Sequence, residues 1–206
     1  MNEDLWLLAS ICLMNLVALI SPGPNFVMVT QMAMQRDRAY ALMVGLGVAT
    51  GTAIWGIGAT AGVSSLSASA PWLHVAMRYV GGVYLISIGI RMWMSRGVAA
   101  ESEMSISATS LRDGYFRGLT TNLLNPKAAA YYVSAFALFF GPSTPRWVQV
   151  AAVLVMIGMS VLWHAALATV FSMAGIRQRY FRAQKAVNRI AGAVIGGFGL
   201  KLLMAR

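Results

Sequence analysis

Hydrophobic residues run along this chain in long blocks, and polar residues are confined to the short stretches between them. Apolar runs occupy positions 5–34, 39–66, 72–93, 115–140, 147–174 and 186–204. None alternates apolar and polar positions with period two, which excludes a membrane barrel of amphipathic strands. A bilayer core of about 30 Å takes roughly 20 helical residues. The pattern therefore predicts an all-α integral membrane protein of six transmembrane helices, one domain over 1–206. Only 95–113, with Glu101 and Glu103 in Ser- and Ala-rich sequence, reads as a sizeable polar loop. The first run could pass for a secretion signal, but Glu3 and Asp4 stand where a basic flank is needed, so a retained helix is expected.

Two runs carry their own interruption. The first, about 30 residues long, is broken by Ser21-Pro22-Gly23-Pro24-Asn25, and the fourth by Asn125-Pro126-Lys127. Proline lacks a backbone donor and clashes with the carbonyl four residues earlier, so neither helix can continue unbroken. Pro22 sits near the middle of its run. Counting 1.5 Å per residue from Arg117 puts Pro126 roughly 14 Å deep, so both breaks should approach the bilayer midplane.

The two halves also repeat. Gly82, Gly89, Arg91, Met94 and Arg96 correspond to Gly192, Gly199, Lys201, Met204 and Arg206 at an offset of 110. Thr52 and Trp55 correspond to Ser160 and Trp163 at 108, and Ser21-Pro22 to Asn125-Pro126 at 104. Repeat one covers about 1–96 and repeat two about 114–206. Three helices per half make the second half enter the membrane inverted, a recurring plan for carriers whose site lies where broken helices meet.

Composition sharpens this picture. Of 206 residues, 58% are hydrophobic and 11% charged, against about a quarter charged in a soluble domain. The single Cys12 excludes disulfide frameworks, cysteine zinc clusters and membrane thiol-electron carriers. The net charge of +10 does not point to nucleic acid, because the basic residues fall in connecting segments and not on one face interleaved with aromatics. Arg36, Arg38, Arg96, Arg112, Arg117, Arg177, Arg179, Arg182, Lys185 and Arg189 cluster on one set of loops, and Arg146 and Arg206 on the other, with Arg78 and Lys201 near helix ends there. By the positive-inside rule the first set is cytoplasmic and both termini lie outside.

Candidate chemistry concentrates at the breaks. Peptide groups freed at that depth must be met by protein, water or a guest. A half-helix starting after Pro24 presents amides and a positive dipole end, suited to a carboxylate. Pro126 starts another, with Lys127 in its first turn, and Asn25, Asn122 and Asn125 offer neutral donors and acceptors. Pro22, Gly23, Pro24, Asn25, Asn122, Asn125, Pro126 and Lys127 are the candidate substrate-binding set. The bland reading makes the prolines packing kinks and lets Lys127 snorkel to an interface. No Asp or Glu lies inside an apolar run to pair with Lys127. His164 is the only imidazole well inside a run, with His74 nearer a run's end, and is the candidate for proton coupling. A neutral histidine packed through one hydrogen bond is the plain alternative. Glycine pairs with GxxxG spacing (Gly47/Gly51, Gly58/Gly62, Gly192/Gly196) and the 14 methionines read as packing, and no metal site or cofactor is expected.

These motifs resemble the LysE/RhtB family of amino-acid exporters. The likeness is carried by Ser21-Pro22-Gly23-Pro24-Asn25, the small residues Gly45, Gly47 and Gly51, the stretch Asn122-Leu123-Leu124-Asn125-Pro126-Lys127-Ala128 and a glycine-rich last helix. It implies proton-driven efflux of amino acids or close derivatives across a prokaryotic cytoplasmic membrane, with an amino acid and the lipid bilayer as partners, a homo-oligomer being open, and no enzymatic activity. Such proteins handle basic amino acids or neutral ones such as threonine, homoserine and leucine. A cationic side chain would need a compensating carboxylate at membrane depth, and none is present, so the expected substrate is neutral. The competing classes are an exporter of another small solute or cation and, on the Ser160/His164 pair, a membrane enzyme. The first lacks an acidic or histidine cluster, and the second lacks a carboxylate to orient the histidine.

Overall fold

The computed structural model of this chain describes residues 2–69, 71–94, 110–140, 144–173 and 176–204. Within them the chain is all-helical, in eight segments: α1 (Asn2–Ile20), α2 (Pro24–Gln35), α3 (Arg38–Ser69), α4 (Pro71–Met94), α5 (Leu111–Leu123), α6 (Pro126–Phe139), α7 (Arg146–Phe171) and α8 (Ile176–Met204). Most of the expected polar loop, 95–109 with Arg96, Glu101 and Glu103, lies outside the described residues, as do Arg206 and the side chains of His74, Arg78, Pro126, Arg177, Arg179 and Arg182.

The segment ends follow from local chemistry. α1 stops at Ile20, and α2 restarts with Pro24 in its first turn, where the missing N–H costs nothing. α5 stops at Leu123, and α6 restarts at Pro126 behind Asn125, whose side-chain oxygen accepts from the amides of Lys127 and Ala128. At the other end of α5, Ser110 and Asp113 form a reciprocal capping box. This cap starts the helix at Leu111 and makes the last three residues of the expected 95–113 loop helical.

Three stretches are long and apolar enough to cross a bilayer: Glu3–Ile20, Arg38–Ala61 and Arg146–Phe171. Their outer faces are apolar too: on α7, Leu154 is 63% and Leu162 73% exposed. Water would penalise such a surface, and lipid does not.

Inside, two apolar clusters form. One joins α1, α4, α6, α7 and α8 around Met14, Leu85, Phe136, Met156 and Ile195, and the other joins α2, α3 and α7 around Val29, Met32, Val44 and Leu167. α7 belongs to both, and the polar centre of the molecule sits beside it. α3 and α7 run antiparallel: Gly45 lies against His164, and Gly56 against Val153. α4 and α8 do likewise, with Gly82 against Gly199 and Gly89 against Gly192, where a Cβ on Gly89 would come within 2.6 Å of the Gly192 carbonyl oxygen. α3 and α5 lie parallel, with Gly118 pressed on the backbone of Val44.

Candidate functional site

The two interruptions meet. Asn125 Nδ2 donates to Asn25 Oδ1 at 3.2 Å, joining the residue that caps α6 to the first turn of α2. Lys127 leaves α6 and reaches the end of α1, where its ammonium donates to the carbonyl oxygen of Ser21 at 3.2 Å and to the Ser21 hydroxyl. The same hydroxyl donates to the sulfur of Met92 at 3.0 Å. Among the described residues no carboxylate lines this space.

Around these contacts is a cavity of about 60 Å³, room for a few ordered waters or one compact solute. Of the residues singled out in the sequence, Gly23, Asn25, Asn122, Asn125, Lys127 and His164 all border it. Pro22 and Pro24 shape the break without bordering the cavity, and Pro126 is the first residue of α6. Asn122 is 1% exposed, and among the described residues neither its amide nitrogen nor its amide oxygen has a hydrogen-bond partner. Buried amides are almost always satisfied, so this one is an open valence, on a residue that borders the cavity and packs on Gly51.

His164 comes from α7, 2% exposed. Its Nδ1 lies 2.7 Å from the Ser160 carbonyl oxygen and 3.3 Å from the Ser160 hydroxyl. A carbonyl only accepts, so the proton sits on Nδ1 and the lone pair on Nε2. The nitrogen nearest the serine hydroxyl therefore cannot take its proton, which removes the Ser160/His164 pair as a nucleophile and base.

Sequence reasoning missed a second set of polar groups on the same wall. Tyr132 donates to Thr52 Oγ1 at 3.1 Å, Thr52 Oγ1 lies 3.2 Å from Ser160 Oγ, and Ser160 leads to His164. Tyr131 donates to Asn15 Oδ1 at 3.2 Å. Asn15, an amide in the middle of the first apolar run, was the one available signal. The tyrosines come into place only through the packing of α6.

Trp55 and Trp163, matched by the repeat, differ. Trp55 Nε1 donates to the Asn122 carbonyl at 3.4 Å, whereas the buried Trp163 Nε1 has no acceptor among the described residues. A second, open depression of about 430 Å³ lies between α2 and α5, lined by Met28, Asp113, Phe116, Arg117, Thr120 and Thr121.

Long apolar helices with exposed apolar faces mark a multi-pass membrane protein. The chain belongs to the LysE type translocator family, whose sequence profile matches residues 16–206. It is 34% identical to a threonine efflux protein of Escherichia coli (strain K12), over 98% of this chain and 100% of the relative. It is equally similar, 34% over 98% of this chain, to a threonine efflux protein of Salmonella typhi spanning 100% of that relative. An uncharacterized membrane protein of Escherichia coli (strain K12), YahN, is 29% identical over 91% of this chain and 84% of its own length. No solved structure matches.

Proposed function

We propose that this protein is a secondary exporter of neutral amino acids, driven by proton antiport, whose substrate occupies the cavity between the two helix breaks. The observation that carries the reading is that cavity, bordered by Asn25, Asn122, Asn125 and Lys127 and by an Asn122 amide with no partner among the described residues. The threonine efflux relatives support the substrate class. Among the described residues no carboxylate lines the cavity, which supports neutrality, because a second cationic group would be desolvated without compensation.

In this reading α1 with α2, and α5 with α6, are broken spans, making six crossings in two inverted repeats within one domain. Reciprocal contacts favour it. The 108-residue offset carries Gly45 onto Val153 and Gly56 onto His164, so the two α3–α7 contacts exchange under the repeat. The 110-residue offset exchanges the Gly82–Gly199 and Gly89–Gly192 contacts in the same way. Both termini lie outside, and the depression between α2 and α5, near Arg117, serves as the cytoplasmic approach. His164 carries the coupling proton on Nε2.

The test is efflux from preloaded cells that make or lack the protein, screened over the standard amino acids. Threonine-like solutes leave faster when it is made; lysine efflux at a matching rate would overturn neutrality. Asn125→Ala and Lys127→Ala, checked for membrane arrival, slow efflux without abolishing it; wild-type rates in both would remove the second break from the site. His164→Gln loses the dependence of efflux on the pH gradient, and its full retention ends the proton role.

A further inference from the structure

The three-residue gap between α1 and α2 leaves two helix ends of opposite polarity side by side. On α1, the Ser21 amide closes onto the Val17 carbonyl, and the carbonyls of Ala18, Leu19 and Ile20 have no intrahelical donor. Ala18, Leu19 and Ser21 border the cavity, so the negative end of α1 faces it. On α2, Gly23 offers no side-chain cap and Pro24 has no N–H, so the Asn25 amide is the first donor at the positive end. The second break is different. Asn125 already caps α6, taking the amides of Lys127 and Ala128. The amides of the second break are therefore already taken, and those of the first are not.

An ammonium is already bound there. Lys127 lays its Nζ on the Ser21 carbonyl and hydroxyl. Gly23 faces it without a side chain, and a Cβ at that position would lie 3.4 Å from both Nζ and Cδ of Lys127. We propose that the C-terminal end of α1, with the Ser21 carbonyl at its tip, is the subsite for the α-ammonium group of a zwitterionic substrate, and that Lys127 occupies it as a tethered stand-in while the site is empty. The proposal rests on the exporter reading and assigns the two ends of the substrate within that site.

An arriving amino acid exchanges partners with the lysine. Its ammonium takes the Ser21 carbonyl, its carboxylate takes the Asn25 amide, and the displaced Lys127 ammonium swings onto that carboxylate. Each charge has a partner before and after, so none is stranded in the apolar interior. The exchange also accounts for ammonium recognition at a cavity that no Asp or Glu lines among the described residues. A ligand with an ammonium but no carboxylate must evict Lys127 and gives it nothing to bind. A ligand with a carboxylate but no ammonium leaves the lysine where it is.

The test uses purified full-length protein in liposomes exchanging labelled threonine, with threonine methyl ester and N-acetylthreonine as competitors. Wild type is inhibited weakly by either analogue. In Lys127→Met the tethered ammonium is gone, and the ester competes about tenfold better than in wild type, the worth of one charge-assisted hydrogen bond. N-acetylthreonine stays excluded. Lys127→Gln keeps a neutral donor to the Ser21 carbonyl, which guards against misfolding of the Met variant, and gives an intermediate gain for the ester. Ester competition unchanged or weakened in both variants, beside normal wild-type exchange, overturns the subsite assignment alone. Wild type that exchanges no amino acid overturns the exporter reading and this inference with it.

Discussion

Asn122 is a side chain whose stability and function should pull in opposite directions. Its amide is buried with both polar atoms unmet, a state that costs about 1–3 kcal/mol when a group is left so. Asn122→Ala is expected to leave the melting temperature in detergent unchanged or raised, while exchange of labelled threonine falls about tenfold or more. A loss of both together would make Asn122 a structural residue. The tryptophans give a second contrast. Trp55→Phe forfeits a bond to the Asn122 carbonyl, whereas Trp163→Phe removes a donor that has no acceptor. With the size change common to both, Trp55→Phe should cost about 0.5–1.5 kcal/mol more in chemical unfolding. The residues legible in the sequence were those beside prolines, since Asn25, Asn125 and Lys127 stand where the backbone cannot stay helical. Thr52, Tyr131 and Tyr132 sit inside uninterrupted helices. Nothing in their neighbours says which face turns inward, so they emerged only with the packing.

At the scale of elements, close approach decides what a helix tolerates. Gly118 of α5 lies so near α3 that a Cβ would stand 1.9 Å from the Val44 carbonyl oxygen, and backbone cannot give way as a side chain does. A Cβ on Gly158 of α7 would meet no neighbouring element within 4 Å among the described residues. Gly118→Ala should therefore destabilise by about 1–3 kcal/mol or more. Gly158→Ala should be neutral or stabilise by roughly 0.5–1 kcal/mol through helix propensity. Thermal denaturation of the two variants in one detergent compares them directly. The breaks were readable because a missing N–H is a local fact. The start of α5 was misplaced by three residues because Leu111, Arg112 and Asp113 look like loop by polarity, and the Ser110–Asp113 capping box outweighs that. The parallel packing of α3 on α5 is set by surfaces remote in sequence and left no trace in any single run.

For the whole molecule, the inverted plan makes a topological demand: equivalent positions of the two halves face opposite sides of the membrane. Reporter fusions after Arg96 and after Arg206, which the repeat equates, should give opposite signals, cytoplasmic for the first and external for the second. Matching signals would remove the inverted arrangement. The order of apolar runs, their lengths and the bias of basic residues were enough to expect a polytopic membrane protein. Those features respond to the solvent around the chain and need no knowledge of its interior. The cavity needed the coordinates, because it is built from six different helical segments.

The offset that aligns Pro22 with Pro126 also aligns Gly23 with Lys127, and these two positions touch. A homodimer built from two copies of one such half would have to place the same residue there twice: two lysines would crowd like charges into one dry space, and two glycines would leave the end of α1 with no ammonium. Joining both halves in a single polypeptide lifts that constraint, letting one copy keep the charge while the other keeps the room for it.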